Sequence, residues 1–174
     1  MKNIFLLFLL LIIGGCSKST NLEFYANSTP KVDIKDFFSG KLKATGIVQD
    51  YSGKVVDSFV VDMVGTWKGD EGVLDEKFVY NDGRKQTRIW KLKKISNQEY
   101  EGTAGDILGV AKGKISGNAI NWHYSMNLPV DDKTYRVKFD DWMWKVDNKT
   151  IINRSYIKKL GITVAEVVLV IQKQ

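Results

Sequence analysis

From Gly40 to the C-terminus the chain is written in short alternating segments, each about ten residues long and each closed by a turn signal. Apolar residues recur at every second position, the period of a half-buried strand, and no stretch after Gly40 reads as a helix of useful length. The segments are Lys41–Tyr51, Val55–Trp67, Val73–Tyr80, Gln86–Ile95, Ile120–Leu128, Tyr135–Trp144, Thr150–Ile157 and Ile162–Ile171. Between the fourth and fifth lies a glycine-laced stretch with Gly105, Gly109, Gly113 and Gly117 four residues apart. Four is not a strand period, so bends around short, strongly curved strands are expected there. Before the first segment, Asp33-Ile34-Lys35-Asp36-Phe37-Phe38 suits one short helix with Asp33 as N-cap. The expectation is an all-β chain: a single antiparallel up-and-down β-barrel of about 8–10 strands, of the lipocalin or fatty-acid-binding-protein type. Closure leaves such a meander with no exposed edge.

One register can be argued from the residues. Leu74, Glu76, Phe78 and Tyr80 share a strand face, and Gln86, Arg88, Trp90 and Leu92 share another. Cross-strand partners lie on the same face, and a three-residue Asn81-Asp82-Gly83 loop supplies the parity that joins these two faces. Glu76 then stands opposite Arg88, and Leu74 opposite Trp90.

Charges on apolar faces mark candidate function. Glu76 and Arg88 lie among aromatic and aliphatic neighbours, Asp141 alternates with Phe139 and Met143, and Arg154 alternates with Ile152 and Tyr156. A lone buried charge is prohibitive, so each must find a protein or ligand partner. Two readings stand. The charges form structural pairs, Glu76–Arg88 and Asp141–Arg154, or they clamp an anionic ligand, since an arginine fork matches a carboxylate or phosphate. Arg154-Ser155-Tyr156 resembles the Arg-x-Tyr of intracellular fatty-acid-binding proteins. Trp90, Trp122, Tyr124, Trp142 and Trp144 extend the apolar faces. They suit either a filled core or a cavity wall, as barrels of this size can have either. The candidate ligand-binding set is Arg88, Arg154, Tyr156, Glu76, Trp90, Trp122 and Asp141.

The N-terminus is an address. Lys2 precedes the apolar run Ile4–Ile13, ten residues against the ~20 that span a bilayer, so it reads as the core of a signal peptide. Ile13-Gly14-Gly15-Cys16 resembles the bacterial lipobox, with Cys16 as the lipidated residue. Removing residues 1–15 takes the chain from 174 residues to 159, and from +6 to +5 in formal charge, enough for one domain. The boundaries expected are signal peptide 1–15, lipid-anchored tether 16–32 and barrel domain 33–174. Charges of both signs alternate throughout, which suits a surface near anionic phospholipid better than nucleic acid.

Cys16 is the only cysteine and His123 the only histidine, which excludes disulfides, thiolate nucleophiles and histidine metal clusters from the mature domain. Asp140 and Asp141, being adjacent on a strand, point to opposite faces and cannot work as a carboxylate pair. His123 shares the polar face of Asn121 and Ser125. Nucleophile elbows and phosphate loops are absent, so no catalytic residue, cofactor or metal is expected and the chain does not read as an enzyme.

A family resemblance rests on several runs taken together. They are Trp67-Lys68-Gly69-Asp70-Glu71-Gly72-Val73-Leu74-Asp75-Glu76-Lys77-Phe78-Val79-Tyr80, Arg88-Ile89-Trp90, Gly113-Lys114-Ile115-Ser116-Gly117-Asn118, Asn121-Trp122-His123-Tyr124, Phe139-Asp140-Asp141-Trp142-Met143 and Asn153-Arg154. In order and spacing they resemble the proteobacterial lipoproteins catalogued as domain of unknown function 3833. That resemblance implies a Gram-negative lipoprotein with a lipid-related role and transfers no catalytic residues. Ser17 after the cysteine is similar to the outer-membrane sorting pattern. The functional expectation is a lipoprotein anchored to the periplasmic face of the outer membrane, binding a fatty acid or other lipidic or small hydrophobic anion. The alternative is a structural or interaction lipoprotein with a side-chain-filled barrel. A lipid-acting enzyme is the third reading, and it requires a cavity carboxylate, Asp141 or Glu76, with a raised pKa.

Overall fold

The computed structural model describes residues 21–130 and 132–174. The ten strands are β1 (Gly40–Asp50), β2 (Val55–Lys68), β3 (Glu71–Tyr80), β4 (Lys85–Lys94), β5 (Glu99–Thr103), β6 (Ile107–Ser116), β7 (Ala119–Val130), β8 (Lys133–Lys145), β9 (Thr150–Lys159) and β10 (Ile162–Lys173). Each pairs antiparallel with its neighbours in sequence, and β10 returns to β1, closing the barrel. This is the up-and-down barrel that the turn spacing predicts, and closure leaves no unpaired edge.

The hairpin register is the expected one. Leu74 faces Trp90 and Glu76 faces Arg88 across β3 and β4. The loop closes with a Gly83 N–H to Tyr80 carbonyl bond of 3.0 Å, and Gly83 is left-handed at φ +85°.

The glycine-laced stretch holds one longer strand, β6, with Gly105 and Gly117 in the turns that flank it. β6 runs ten residues and pairs with both β5 and β7. Its register shifts between Leu108 and Lys112, where Gly109 takes φ +77°, a conformation other residues reach only under strain. Gly113 is there for a different reason. A Cβ at that position would lie 2.6 Å from the Trp122 ring, which lies across it.

One end of the barrel is plugged. Asp33 caps the single-turn helix α1 (Ile34–Phe37), accepting the Asp36 N–H at 3.1 Å. The same carboxylate receives Lys94 Nζ at 2.8 Å and Tyr100 Oη at 3.1 Å, which ties the plug to β4 and β5. Val32, Ile34, Phe37 and Phe38 are buried beneath it. Full burial of side chains of this size is worth about 1.5–3 kcal/mol each, enough to hold a short helix that could not persist alone.

Residues 21–32, read from sequence as part of a tether, lie against the outside of the barrel. A 3₁₀ turn at Leu22–Tyr25 sets the Tyr25 ring 6.2 Å from Trp142 and 6.3 Å from Trp144. The Val32 N–H then bonds the Gly117 carbonyl at 3.0 Å. Trp142 and Trp144, stacked at 6.0 Å, are therefore buried or half-buried on the outer face and do not line the interior. Residues 1–20, and with them the expected signal peptide and lipidated Cys16, lie outside the described residues.

Candidate functional site

The inner faces do not fill the barrel. They enclose a cavity of about 1120 Å³ that rests on Ile34 and Phe38 at the plugged end and runs to Asp57, Arg84 and Val130 at the other. The Arg84 side chain is 59% exposed, so the second end meets solvent.

Its wall is aromatic for a reason visible in the strands. Trp90, Trp122, Tyr124 and Phe139 occupy inward positions on β4, β7 and β8; pairing sets Tyr124 opposite Phe139, and Trp90 reaches Trp122 and Tyr124 past the intervening β5 and β6. Trp90 lies 6.4 Å from Trp122 and meets Tyr124 edge-on at 5.6 Å, while Tyr124 stacks on Phe139 at 4.8 Å. The inward stripe of β7 is Ile120, Trp122, Tyr124, Met126 and Leu128.

Beside the rings sits a polar group. Arg88 gives its fork to Asp106, with Nε to Oδ2 at 2.9 Å and Nη2 to Oδ2 at 2.7 Å. Its Nη1 lies 3.9 Å from Glu76 Oε2, too long for a hydrogen bond. Oε2 is buried and has no hydrogen-bond partner among the described residues. Burial pushes the Glu76 carboxyl up to about 7; Arg88 opposes the rise, and the Asp106 and Asp141 charges add to it. For Arg88, burial works against the cation, but Glu76 and Asp106 more than offset it and hold its pKa above the ordinary value.

Asp141 is anchored differently. Its Oδ1 accepts Ser155 Oγ at 2.6 Å and the Asn153 side-chain amide, while Tyr124 Oη approaches Oδ2 at 3.5 Å. Burial raises its pKa, and the bonds from Ser155, Asn153 and Tyr124 hold the rise back. Tyr124 itself is pushed well up, by burial first and then by the Asp141 charge.

The structure brings Glu76, Arg88, Trp90, Trp122 and Asp141 into one cavity. It does not bring Arg154 and Tyr156 there. Asp141 pairs across the sheet with Ser155, so the inward face of β9 carries Ile151, Asn153, Ser155 and Ile157, and its outward face carries Arg154 and Tyr156. Arg154 bonds Glu166 outside the barrel, Nη2 to Oε2 at 2.7 Å, and stands 4.9 Å over the Tyr156 ring. The Asp141–Arg154 pair is thus not formed, and Glu76–Arg88 is a long contact rather than a closed bridge.

Three participants escaped sequence reasoning. Asp106 sits in the turn before β6, inside the glycine stretch, and nothing local marks it. Asn153 and Ser155 did leave a signal, two small polar residues alternating with Ile151 and Ile157. The adjacent Asp140 faces out to Lys158 at 2.6 Å and to the exposed His123 at 3.4 Å. Among the described residues, no group of three or more His, Cys, Asp or Glu side chains is placed to hold a metal ion.

A closed ten-stranded antiparallel barrel around a large apolar cavity with a polar pole defines a lipocalin-like barrel of the ligand-binding type. The chain belongs to the family described as "Protein of unknown function (DUF3833)", whose profile matches residues 10–173. Among solved structures it is similar in fold to the S-type phycobiliprotein lyase CPES from Guillardia theta, with a TM-score of 0.57 and 9% sequence identity. That match covers 82% of this chain and 94% of the lyase chain. No curated protein matches the chain.

Proposed function

We propose that this protein is a binding lipoprotein that holds a lipidic or small hydrophobic ligand inside its barrel, anchored through Cys16 to the periplasmic face of the outer membrane. The observation that carries the reading is the cavity of about 1120 Å³, slightly above the ~300–1,000 Å³ typical of small-molecule sites. Its aromatic wall suits an apolar body, and the group around Glu76, Arg88 and Asp141 suits one polar end. A barrel serving only as a structural module would fill this space with side chains, because an open core forfeits dispersion contacts. The lipid anchor rests on the Lys2, Ile4–Ile13 and Cys16 pattern.

The role is binding rather than catalysis. The cavity carboxylates have no histidine beside them, as His123 is on the outer face. Glu76, pushed up to about 7, and Asp141, also raised, are the cavity carboxylates that a lipid-acting enzyme would require, and here they serve as recognition groups.

The test is mass spectrometry of the full-length chain purified from bacterial envelopes in a non-ionic detergent. An organic extract should yield one lipid or hydrophobic small molecule at near-stoichiometric amount, absent from an unrelated lipoprotein prepared alongside. The intact mass should report a chain that starts at Cys16 and carries acyl groups. An empty chain that stays empty after incubation with envelope lipids would overturn the ligand reading; a chain starting elsewhere would overturn the anchor.

A further inference from the structure

We propose that the cavity selects ligands whose polar end is a hydrogen-bond-donating nitrogen, an ammonium or N–H group on an apolar body, over ligands ending in a carboxylate or phosphate. This rests on the cavity-binding reading above and assigns the ligand class to the same site.

Charge is the first ground. The charged side chains lining the cavity are Asp57, Glu76, Asp106 and Asp141 against Arg84 and Arg88. Both arginines are already engaged by carboxylates. Arg84 is held by Asp57 and Asp82 at the solvent end. Arg88 spends Nε and Nη2 on Asp106 and turns Nη1 toward Glu76. An anionic head would find only Nη1 of Arg88 and would sit there beside the Glu76 and Asp106 carboxylates. The arginine–tyrosine pair suited to gripping an anion, Arg154 and Tyr156, is outside the barrel.

Unused acceptor capacity is the second. Glu76 Oε2 accepts nothing, and Asp141 Oδ2 receives only the long contact from Tyr124 at 3.5 Å. A buried carboxylate oxygen without a donor is costly, and a donor arriving with the ligand removes that cost. The Trp90, Trp122 and Tyr124 rings line the same space, and an aromatic face attracts a cation.

The groups that face Glu76 are Arg88 and Trp90 on β4, Asp106 in the turn before β6, and Asp141 on β8, with Tyr124 on β7 behind them; the Trp90 side chain, like Arg88, favours the ionised carboxyl. At neutral pH this carboxyl is poised near half-ionisation, so a bound ammonium would complete its ionisation.

The experiment uses three matched fluorescent ligands: pyrenebutanol, pyrenebutylammonium and pyrenebutanoate. Each is titrated at pH 7.5 into the full-length chain in constant non-ionic micelles, with energy transfer from tryptophan as the readout and empty micelles as blank. Pyrenebutanol binding tests the cavity itself. If it binds, the ammonium should bind at least tenfold tighter than the carboxylate, and Glu76→Gln, in which pyrenebutanol reports that the cavity still binds, should reduce that preference below threefold. The ammonium should also weaken between pH 8 and pH 6 in the native chain and not in Glu76→Gln. Pyrenebutanol binding with the carboxylate equal to or tighter than the ammonium would overturn the selectivity and leave the cavity reading standing. If Glu76→Gln binds pyrenebutanol normally and keeps the tenfold preference, Glu76 is not the recognition group and the proposal fails. No transfer from any of the three would overturn the cavity reading and this inference with it.

Discussion

Glu76 and Arg88 are directly paired residues on β3 and β4, yet Arg88 bonds Asp106 and leaves Glu76 Oε2 3.9 Å away and without a hydrogen bond. A pair that sequence register brings face to face is thus split by a third residue from a distant turn. The consequence is a carboxyl that is buried, incompletely compensated and therefore easily protonated.

That carboxyl should make stability depend on pH. Its pKa is pushed up to about 7 in the folded chain from an ordinary value of 4.5, so between these values the native state binds more protons than the unfolded state. Stability is then fully present below pH ~4.5 and declines as pH rises through ~7, by about 3 kcal/mol from this group alone. Asp141, also raised, acts with the same sign, whereas Asp33 and Asp140 are lowered and act oppositely on the acid side. Urea unfolding at pH 5 and pH 8 should show the loss, and Glu76→Gln should remove most of it.

Arg154→Ala should be nearly silent. Its side chain is 47% exposed and its pairing with Glu166 lies on the outer surface, where such bridges are worth about 0–1 kcal/mol. Thermal unfolding should shift little, and cavity binding of pyrenebutanol should not change.

Gly113→Ala should be damaging despite adding a single methyl. The new Cβ would lie 2.6 Å from the Trp122 ring and must push it into the cavity. Overpacking of this kind costs about 1–3 kcal/mol. Chemical denaturation should report that loss, and tryptophan emission should shift as Trp122 moves.

Asp33→Ala should loosen the plug before it unfolds the barrel. The substitution removes the N-cap of α1 and the acceptor of Lys94 and Tyr100 together. Loss of the cap alone costs about 1 kcal/mol. Hydrogen exchange should quicken first at residues 34–38, with the barrel strands still protected.

Several features were legible because their causes are local. The period-2 faces and turn residues located the strands, and Asp33 before Ile34 marked α1. The three-residue loop at Asn81-Asp82-Gly83 set one register through parity alone. The inward placement of Glu76, Arg88, Trp90 and Trp122 followed from that same alternation. Where apolar residues occupied both faces, alternation lost its meaning. Ile152 and Tyr156 made the outer face of β9 look like an inner one, and only the pairing of Asp141 with Ser155 settles the matter.

By itself, then, the amino-acid sequence determined an all-β up-and-down barrel with a capped entry and an apolar interior. Strand period, turn chemistry and helix capping act over a few residues, and the chain spells them directly. The tertiary structure alone decided who meets Arg88, which tryptophans line the cavity and which face outward under residues 21–32, and that the barrel is hollow. Those outcomes depend on contacts between residues far apart in the chain and on the circumference set by ten closed strands. A space of about 1120 Å³ is what remains after all the inward side chains have been placed, and no local pattern encodes it.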